Sequence, residues 1–437
     1  MIKSRFVIPA GLGALLLLLA PGGAAGQTLL TETTWGGVGA EFIGDVVTAA
    51  DGSAYAVGTT DSFAVDEFGQ PSPRLFIVKF APDGSVVWER IWNGSTGHGK
   101  PAVAVDAANA VFVAFFSFDN NGGDALLLKF DAAGTLLWER TWGGPESDSA
   151  NAVATDADGS VYITGRETSF GAGLFVVKFD GEGNLLWQKI TDAAGGDAIA
   201  VGADGSVYAA GSIIRDNNLA NFDILVVKLT SAGAEVWRRT YSAGEVVDAR
   251  GRMAAAPDGS IVIAGALQTL KGSTPNIDPL IVKLDQDGNL VFNRALADAA
   301  TADAVAVAPD DGSVYVAGTT STAGAGFQDA FVLHVDSTGK KALDAVTWGG
   351  AGFEEGRGVS VTGGTVVLAA STTTAPPYSL LALRAKLSTP KSIVAPAAGA
   401  TADVAGLVGD PGRGTAIPNG STTYAGNFEA AVVQILR

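Results

Sequence analysis

The stretch from residue 126 to residue 142, LLLKFDAAGTLLWERTW, decides the fold of this 437-residue chain. It predicts an antiparallel hairpin, in which an apolar run ending at Phe130 and a second run ending at Trp142 are joined by a turn at residues 131–134. Related segments begin at residues 76, 175, 225 and 280. Their equivalent aromatic positions are about 50 residues apart, and they are Trp88, Trp138, Trp187, Trp237 and Phe292. A repeat of this length indicates a propeller, a solenoid or an array.

Each repeat contains four strand-like runs, which predicts an all-β propeller built from four-stranded antiparallel blades. The first run is made of small residues, such as AVAV at 102–105, and we expect it to lie innermost, where strands crowd around the axis. The third run carries one polar anchor per repeat, and the anchors are Lys79, Lys129, Lys178, Lys228, Lys283, His334, Lys386 and Gln434. Eight anchors predict eight blades. Seven blades plus a tail is the alternative.

The turns separate the two faces of the predicted disc. Short connections carry Asp-Gly or Glu-Gly pairs, as at Asp158-Gly159 and Glu182-Gly183, which are typical of hairpin turns that need a positive φ. The connections between second and third strands are long at 59–74, 213–222 and 266–279. Because loops on a rigid scaffold carry function, we expect any partner to bind the face that holds these long loops.

We expect the two end segments of the propeller, residues 27–35 and 430–437, to close the ring. The last repeat ends in a third strand, AAVVQILR at 430–437, with no fourth strand after it. The opening segment QTLLTETTW at 27–35 matches the outer strand GTLLWERTW at 134–142. We therefore predict that these segments pair in one blade, which would remove an unpaired sheet edge.

The N-terminal segment predicts an exported protein, and composition and charge limit its chemistry and partners. Residues 1–26 have the pattern of a secretory signal peptide, with Lys3 and Arg5 ahead of a short apolar core, which leaves 27–437 as one propeller domain. The chain has no cysteine, which excludes disulfides, thiol catalysis and a lipid anchor on cysteine. The formal charge of −17 argues against nucleic acid and anionic membranes as partners. We expect a monomer in the periplasm, at the cell surface or outside the cell.

Two longer segments resemble a known repeat. GGDALLLKFDAAGTLLWERTWGG at 122–144 and DGSVYVAGTT at 311–320 are similar to the bacterial SBBP-type beta-propeller repeat, and the resemblance weakens after the sixth repeat. It implies a propeller fold and export more than any activity. The spacing of Asp131, Gly134 and Trp138 also resembles the tryptophan-docking motif of eight-bladed quinoprotein dehydrogenases, which would imply a quinone cofactor.

Several residue patterns have a chemical interpretation and a structural one, and we favour the structural one in each. The third-strand lysines suggest a ring of cations, but local pairing is available, as between Lys129 and Asp131. Residues that precede the inner strand could rim a tunnel and attract a cation, or bond the next blade, and they are Asn151, Asp197, Asp303 and Asp403. Fragments of calcium loops at 156–159 and 285–289 lack the acidic ladder of a complete site and predict turns.

The sequence contains few residues in a context that is typical of catalysis. The histidines are His98 in a loop and His334 in the anchor column, and no serine has the context of a nucleophile elbow. We therefore assign no catalytic, cofactor-binding or metal-binding residue. The interpretation is a non-catalytic propeller that serves as a binding or scaffolding module for an unknown protein or glycan on the long-loop face. The alternatives are a secreted hydrolase or lyase that uses loop carboxylates, and a quinone-cofactor dehydrogenase.

Overall fold

A computed structural model describes residues 29–382, 401–403 and 429–436, apart from short stretches of connecting loops. The omitted stretches are 38, 66–68, 71, 120–121, 169–172, 192–194, 215–221, 243–245, 249–250, 272–273, 297–300, 322–326 and 374–378. The expected signal peptide and the anchor Lys386 lie outside the described residues. The regular elements of the described chain are β-strands, and no helix within it is long and apolar enough to span a membrane.

Six blades are each built from one continuous part of the chain. After β1 (Leu29–Trp35), blade 1 holds β2 (Glu41–Thr48), β3 (Ala54–Thr60), β4 (Arg74–Phe80) and β5 (Val86–Ile91). Blade 2 holds β6 (Ala102–Val105), β7 (Val111–Asp119), β8 (Gly122–Phe130) and β9 (Leu136–Trp142). Blade 3 holds β10 (Ser149–Thr155), β11 (Val161–Glu167), β12 (Gly173–Phe179) and β13 (Leu185–Thr191).

The next three blades follow the same order. Blade 4 holds β14 (Gly195–Val201), β15 (Val207–Ile214), β16 (Phe222–Leu229) and β17 (Glu235–Ser242). Blade 5 holds β18 (Val246–Asp248), β19 (Met253–Ala255), β20 (Ile261–Lys271), β21 (Thr274–Leu284) and β22 (Leu290–Ala295), and both β18 and β19 pair with β20. Blade 6 holds β23 (Ala304–Val307), β24 (Val314–Thr320), β25 (Asp329–Val335) and β26 (Ala342–Gly349).

A composite sheet joins the two ends of the chain. It contains β27 (Glu354–Thr362) and β28 (Thr365–Thr372), then β31 (Glu429–Leu436), with β1 as its outer strand. Two short strands lie before β31 in sequence: β29 (Ser379–Ala382) pairs with β26, and β30 (Thr401–Asp403) pairs with β17. The pairing of β1 with β31 is antiparallel from Trp35 opposite Ala430 to Leu29 opposite Ile435, with one shift in register. The predicted pairing of the two ends is confirmed.

The predicted count of eight blades is wrong, and so is the alternative of seven blades plus a tail. The described residues form six repeat-derived blades and the composite sheet. The anchor count fails in the segment after β28, because β29 adds to the outer edge of blade 6 and does not continue the last sheet as its third strand. The third strand of the composite sheet is β31, which contains the anchor Gln434. The last anchored segment is therefore part of a sheet and not a tail that follows the propeller.

The inner strands surround the axis, as their small residues predicted. A cavity of about 270 Å³ is lined by the inner strands of all six blades and of the composite sheet, with residues such as Val47, Val103, Ala152, Ile199 and Val361. The short turns have the expected geometry, since Gly134 has a φ of +79° and Gly159 a φ of +78°. The stretch 266–279, predicted as a long loop, is instead an extension of the β20–β21 hairpin, paired from Ala266 opposite Pro279 to Lys271 opposite Thr274.

The repeated tryptophan fastens the outer strands of blades 1 to 4 to the next blade. The indole Nε1 of Trp138 donates to the carbonyl of Gly181 in blade 3 at 3.1 Å, and Lys129 Nζ donates to the same carbonyl at 2.8 Å. Arg140 completes the contact through a bond to Gly183 O and lies over the indole. The same indole contact joins Trp88 to Ala132, Trp187 to Ser231 and Trp237 to Gln286. The indoles are half-buried at the rim of the disc.

The composite sheet holds blade 1 by a related contact in which the tryptophan is missing. Thr33 occupies the position of Arg140 in the repeat, and its hydroxyl donates to Gly84 O at 2.7 Å. Trp35 packs on Phe76 with ring centroids 4.5 Å apart, as Trp142 packs on Phe175 at 4.3 Å. The first strand therefore pairs with the last strand and also fastens the composite sheet to blade 1.

We predict that removing β1 opens the ring. A variant that lacks residues 1–34 should melt many degrees below a variant that lacks residues 1–26 and should self-associate, because the edge of β31 becomes free. Calorimetry and sedimentation velocity measure both effects. As a control, appending LLTETTW behind residue 436 through a two-residue turn should restore stability. A truncated variant that melts like its parent and stays monomeric would refute this closure.

Candidate functional site

The candidate site is a cavity at the mouth of the tunnel, on the face where the inner strands begin. Its volume is about 410 Å³. The same face carries the connections between second and third strands and the crossovers between blades, so it is the face predicted to bind a partner. The lining residues are Gly44, Gly99, Lys100, Phe115, Phe116, Ser149, Asn151, Asp197, Arg252, Asp303 and Arg357.

Irregular pairing at the start of the inner strands places polar side chains at the mouth. The register between first and second strands shifts at Gly44, Asn151, Asp197 and Arg357, each of which is skipped in the pairing. A β-bulge leaves one residue unpaired and re-aims its side chain. Polar residues at this one position of the repeat therefore gather around the axis.

Arg252 extends across the tunnel. It lies immediately before the inner strand of blade 5, yet its guanidinium donates to Pro101 O at 3.2 Å, to Gly44 O at 3.4 Å and to Asn151 O. It also pairs with Asp45 at 3.4 Å. These acceptors belong to blades 1, 2 and 3, on the far side of the ring. Arg252 lines both cavities, so it forms the floor of the mouth and the ceiling of the tunnel.

Asp303 is the acceptor for two cations. It lies 2.7 Å from Lys100 Nζ of the blade 1–2 crossover and 3.0 Å from Arg357 Nη1 of the composite sheet. Arg357 also binds Glu355 at 2.6 Å. Burial on its own would raise the pKa of Asp303, but Lys100 and Arg357 outweigh it and hold the pKa below its usual range. The carboxylate is therefore ionised at neutral pH, which does not suit a general acid.

The surroundings of Lys100 show that the cations are crowded. Enclosure by the cavity walls lowers the pKa of Lys100, the carboxylate of Asp303 raises it, and the guanidinium groups of Arg357 and Arg252 lower it again. The net direction is downward. Three cationic side chains from different parts of the ring thus lie within electrostatic reach of each other, in a chain whose formal charge is −17.

The polar residues predicted to rim the tunnel have several roles. Asn151 donates its amide to Gly196 O of the next blade at 2.8 Å, the structural role that was favoured. Asp197 lines the mouth, and Asp303 holds Lys100 and Arg357. Asp403 is in β30, at the outer edge of blade 4 and away from the tunnel. The structure thus brings Asn151, Asp197 and Asp303 together and leaves Asp403 out.

The lysine column is structural, but its expected partner was wrong. Lys129 donates to the carbonyl of Gly181 in the next blade and does not pair with Asp131. Where a lysine of the column pairs with a carboxylate, that carboxylate lies in the turn between the first and second strands of the same blade. Lys178, for example, lies 3.3 Å from Asp156. The aromatic ring of the second strand lies beneath the ammonium group, at 5.0 Å between Lys129 and Phe112. Among the described residues, the ammonium groups of the column are therefore bound to backbone carbonyls, carboxylates and rings, and they do not line the tunnel or its mouth.

Both histidines have structural contacts. His334 stacks on Tyr315 with centroids 4.1 Å apart, and burial lowers its pKa, so the imidazole is neutral at pH 7. His98 lies at the edge of Phe42 and 3.4 Å from Asp61.

The calcium-like segments are turns, as expected. Asp285 Oδ1 accepts the backbone amides of Asp287 and Asn289, and Asp156 Oδ1 accepts those of Asp158 and Ser160. Across the described part of the chain, no group of three His, Asp or Glu side chains is placed to hold a metal ion.

An aromatic patch lies beside the mouth, between blades 1 and 2. Phe115 replaces the glycine that ends the second strand in other repeats, but β7 is not distorted there, since Phe115 pairs regularly with Leu126. Its ring contacts Phe116 at 4.3 Å, and Phe116 contacts Phe118 at 5.2 Å. Phe118 is 49% exposed. Phe63, in the β3–β4 connection, is 48% exposed and packs on Trp35 of the composite sheet with ring centroids 5.6 Å apart, so it lies at the other side of blade 1. Exposed aromatic side chains of this kind are typical of binding surfaces.

Sequence reasoning missed the cations of the mouth. Lys100, Arg252 and Arg357 make contacts with residues 203, 208 and 54 positions away, and no local pattern encodes these pairs. A signal was present for the arginines, because Arg252 and Arg357 stand beside glycine at the start of inner strands that are otherwise small and apolar. A charged residue at such a position is aimed at the axis.

Comparisons with known proteins identify no family. No protein-family model and no curated protein matches the chain. Among solved structures, the beta-propeller domain of the Trilobed protease from Pyrococcus furiosus is similar over 80% of this chain and 97% of that chain, with 12% identity and a TM-score of 0.45. A protein of unknown function from Bacteroides caccae is similar over 64% of this chain and 94% of that chain, with 13% identity and a TM-score of 0.40.

One enzyme in the comparison is longer than this chain. A puromycin hydrolase is similar over 80% of this chain and 54% of that chain, with 16% identity and a TM-score of 0.47–0.48. This chain therefore matches about half of that protein. Similarity at this level carries no information about activity.

We predict that replacing Asp303 lowers the free energy of unfolding by an amount that depends on pH. The pKa of Asp303 is depressed by folding, so its ion pairs stabilise the fold fully above the unfolded pKa of about 3.9 and lose that effect as the pH falls through the lower folded value. Asp303→Asn should therefore cost about 3 kcal/mol in the free energy of unfolding at pH 7 and less as the pH falls below 4.

Urea unfolding at several pH values measures this cost. The control is Asp287→Asn in an exposed turn, which should have little effect at any pH. A deficit for Asp303→Asn that stays constant from pH 7 to pH 3 would contradict the ion-pair role.

Proposed function

We propose that this protein is an exported, non-catalytic beta-propeller that binds a protein or glycan through the face around the tunnel mouth. The observation that carries the proposal is the cavity itself: side chains from several blades converge there on one concave, partly aromatic site. Ligand sites of this size are usually preformed and combine apolar walls with a few polar groups. The rigid ring supplies the preorganisation that binding requires.

The charged groups of the mouth favour binding over catalysis. Asp303 is ionised between two cations, and Asp45 is paired with Arg252. Burial outweighs Arg252 and two backbone amides and raises the pKa of Asp45. Acid–base catalysis by two carboxylates needs one group that carries a proton near neutral pH beside another that does not. Asp45 lines the tunnel and Asp303 lines the mouth, so these two carboxylates do not face one cavity as such a pair would.

Export and repeat type belong to the same proposal. The signal-like pattern at residues 1–26 supports a protein that works in the periplasm, at the cell surface or outside the cell. The similarity of 122–144 to the SBBP-type repeat supports the same location. We propose that residues 27–437 act as one monomeric module, with no nucleic-acid or membrane partner after the signal is removed.

The first test maps the binding face. Phe63→Ser and Phe118→Ser, combined with replacement of residues 267–278 by a two-residue turn, should abolish capture of partners from the producer's envelope and medium. The matched control is Val87→Ser with Leu137→Ser, because these side chains are 54% and 52% exposed on the outer strands. The control should bind like the parent. Binding that survives the first set and is lost in the control would place the partner on the rim.

The second test addresses catalysis. Purified protein should show no turnover of polysaccharides, esters or primary alcohols, with or without pyrroloquinoline quinone and calcium. Chromogenic and reducing-sugar assays measure this directly. A reproducible activity that Asp197→Asn or Asp303→Asn abolishes would overturn the binding-module proposal in favour of a carboxylate enzyme.

A further inference from the structure

The outer edges of the blades are not all alike. An outer strand pairs with its blade on one side, and its other edge presents backbone N–H and C=O groups to a further strand. Within the described residues, β5, β9, β13, β22 and β1 have no further strand against that edge. The edge of β26 in blade 6 is covered, because β29 pairs with it antiparallel from Val346 opposite Ala382 to Gly349 opposite Ser379. In blade 4, β30 covers residues 240–242 of β17.

The outer strands also differ in charge at the two residues after the repeated tryptophan position. Blade 6 has Ala345 and Val346 there, and β1 has Glu32 and Thr33. Charged side chains on an edge strand hinder its pairing with another chain. Among the described outer strands, β26 is the one with no charged side chain at either position, and β29 covers it there. In blades 1 to 5 the two residues are Glu89-Arg90, Glu139-Arg140, Gln188-Lys189, Arg238-Arg239 and Asn293-Arg294.

The residues of β26 suit pairing with a second β26. Two antiparallel copies related by a two-fold axis at Val346 place Val346 opposite Val346 and Asp344 opposite Trp348. No like charges then face each other, and the Asp344 carboxylate accepts the backbone amide of Ala345 at 2.8 Å. The same arrangement of β9 at Arg140 places arginine opposite arginine, which destabilises a strand pair. A second copy therefore fits the edge of blade 6 better than that of blade 2.

The cover on this edge is short. β29 has four residues, whereas β31, which closes the ring, has eight. A strand held by few backbone hydrogen bonds opens at a lower free energy than the core of a sheet. The closure of the ring uses β1 and β31 and not β29. β29 can therefore leave its edge while the propeller stays closed.

We propose that the outer edge of blade 6 is a docking surface for a second copy of this chain. β29 covers this edge and keeps the protein monomeric. When β29 leaves, two copies pair antiparallel through β26 and form one continuous sheet across an isologous interface. This inference goes beyond the proposed function and does not depend on what the mouth binds.

The first experiment removes the cover. Leu380→Pro with Leu381→Pro deletes two adjacent backbone donors of β29, one of which faces β26 because neighbouring residues of a strand direct their N–H groups to opposite sides. Sedimentation velocity over a concentration series should give a dimer Kd at least about tenfold below that of the parent. Adding Val346→Arg should restore the monomer, since arginine then faces arginine. The fold accommodates arginine at this position, as at Arg90, Arg140, Arg239 and Arg294.

The second experiment leaves β29 in place. Glu139→Ala with Arg140→Val gives blade 2 the residues of blade 6 without a cover, and this variant should dimerise. The matched control is Glu139→Gln with Arg140→Lys, which reproduces the pair of blade 3 and should stay as monomeric as the parent. Melting temperatures verify that each variant is folded.

A cross-link locates the interface. The chain has no cysteine, so a single one is a unique reporter. Val346→Cys in the proline variant should form a disulfide-linked dimer on mild oxidation, because residues directly opposite each other in an antiparallel pair lie close together. Without the proline substitutions the same cysteine should cross-link at least about tenfold more slowly. The control is Val87→Cys, at a side chain 54% exposed on blade 1, which should cross-link equally slowly in both backgrounds.

Three results would overturn the inference. They are a folded proline variant that associates no more than the parent, a dimer that persists with Val346→Arg, and faster cross-linking at Val87→Cys than at Val346→Cys. If the proline variant does not fold, Glu139→Ala with Arg140→Val decides: a dimer supports the docking edge, and a monomer contradicts it. None of these results bears on binding at the mouth, so the two proposals fail separately.

Discussion

The carbonyl that Trp138 and Lys129 share is the contact on which the ring depends. Gly181 O accepts a bond from the outer strand and one from the third strand of the preceding blade. Equivalent carbonyls of Ala132, Ser231 and Gln286 accept the same pair of donors from blades 1, 3 and 4. A blade is a small sheet that cannot bury both faces alone. Repeating one contact at one position of the hairpin therefore sets the distance and rotation between neighbours.

The contact changes where the sequence changes, yet the ring continues. Phe292 takes the tryptophan position in blade 5 and donates no hydrogen bond, while Lys283 still reaches Ser337 O at 3.1 Å. In blade 6 His334 replaces the lysine and stacks on Tyr315. At the composite sheet Thr33 donates to Gly84 O. Packing thus compensates for the lost hydrogen bonds in blades 5 and 6.

The fold could be predicted from the sequence where a pattern is local. The prediction failed for the last sheet and for the contacts that Arg252 makes across the ring. The spacing of Trp88, Trp138 and Trp187 was sufficient for the hairpins, the inner strands and the turns. Counting anchors gave too many blades, because Lys386 has the sequence of an anchor but the last sheet takes its third strand from Glu429–Leu436. The match between the first strand and an outer strand predicted the closure. Arg252 was missed, since its partners lie across the ring.

The central claim is that the ring depends on the tryptophan docking against the next turn, and two glycines test it. Gly134 and Gly159 have φ values of +79° and +78°, so alanine meets the same backbone strain at either position, about 1 kcal/mol. A Cβ at Gly134 would lie 2.8 Å from the indole of Trp88, whereas a Cβ at Gly159 meets no atom within 4 Å. We compare the free energies of urea unfolding of Gly134→Ala and Gly159→Ala. Both variants carry the same backbone strain, but only Gly134→Ala also disturbs the packing of the Trp88 indole against the turn. We predict that Gly134→Ala costs at least about 1 kcal/mol more than Gly159→Ala in the free energy of unfolding. Equal costs would contradict the claim.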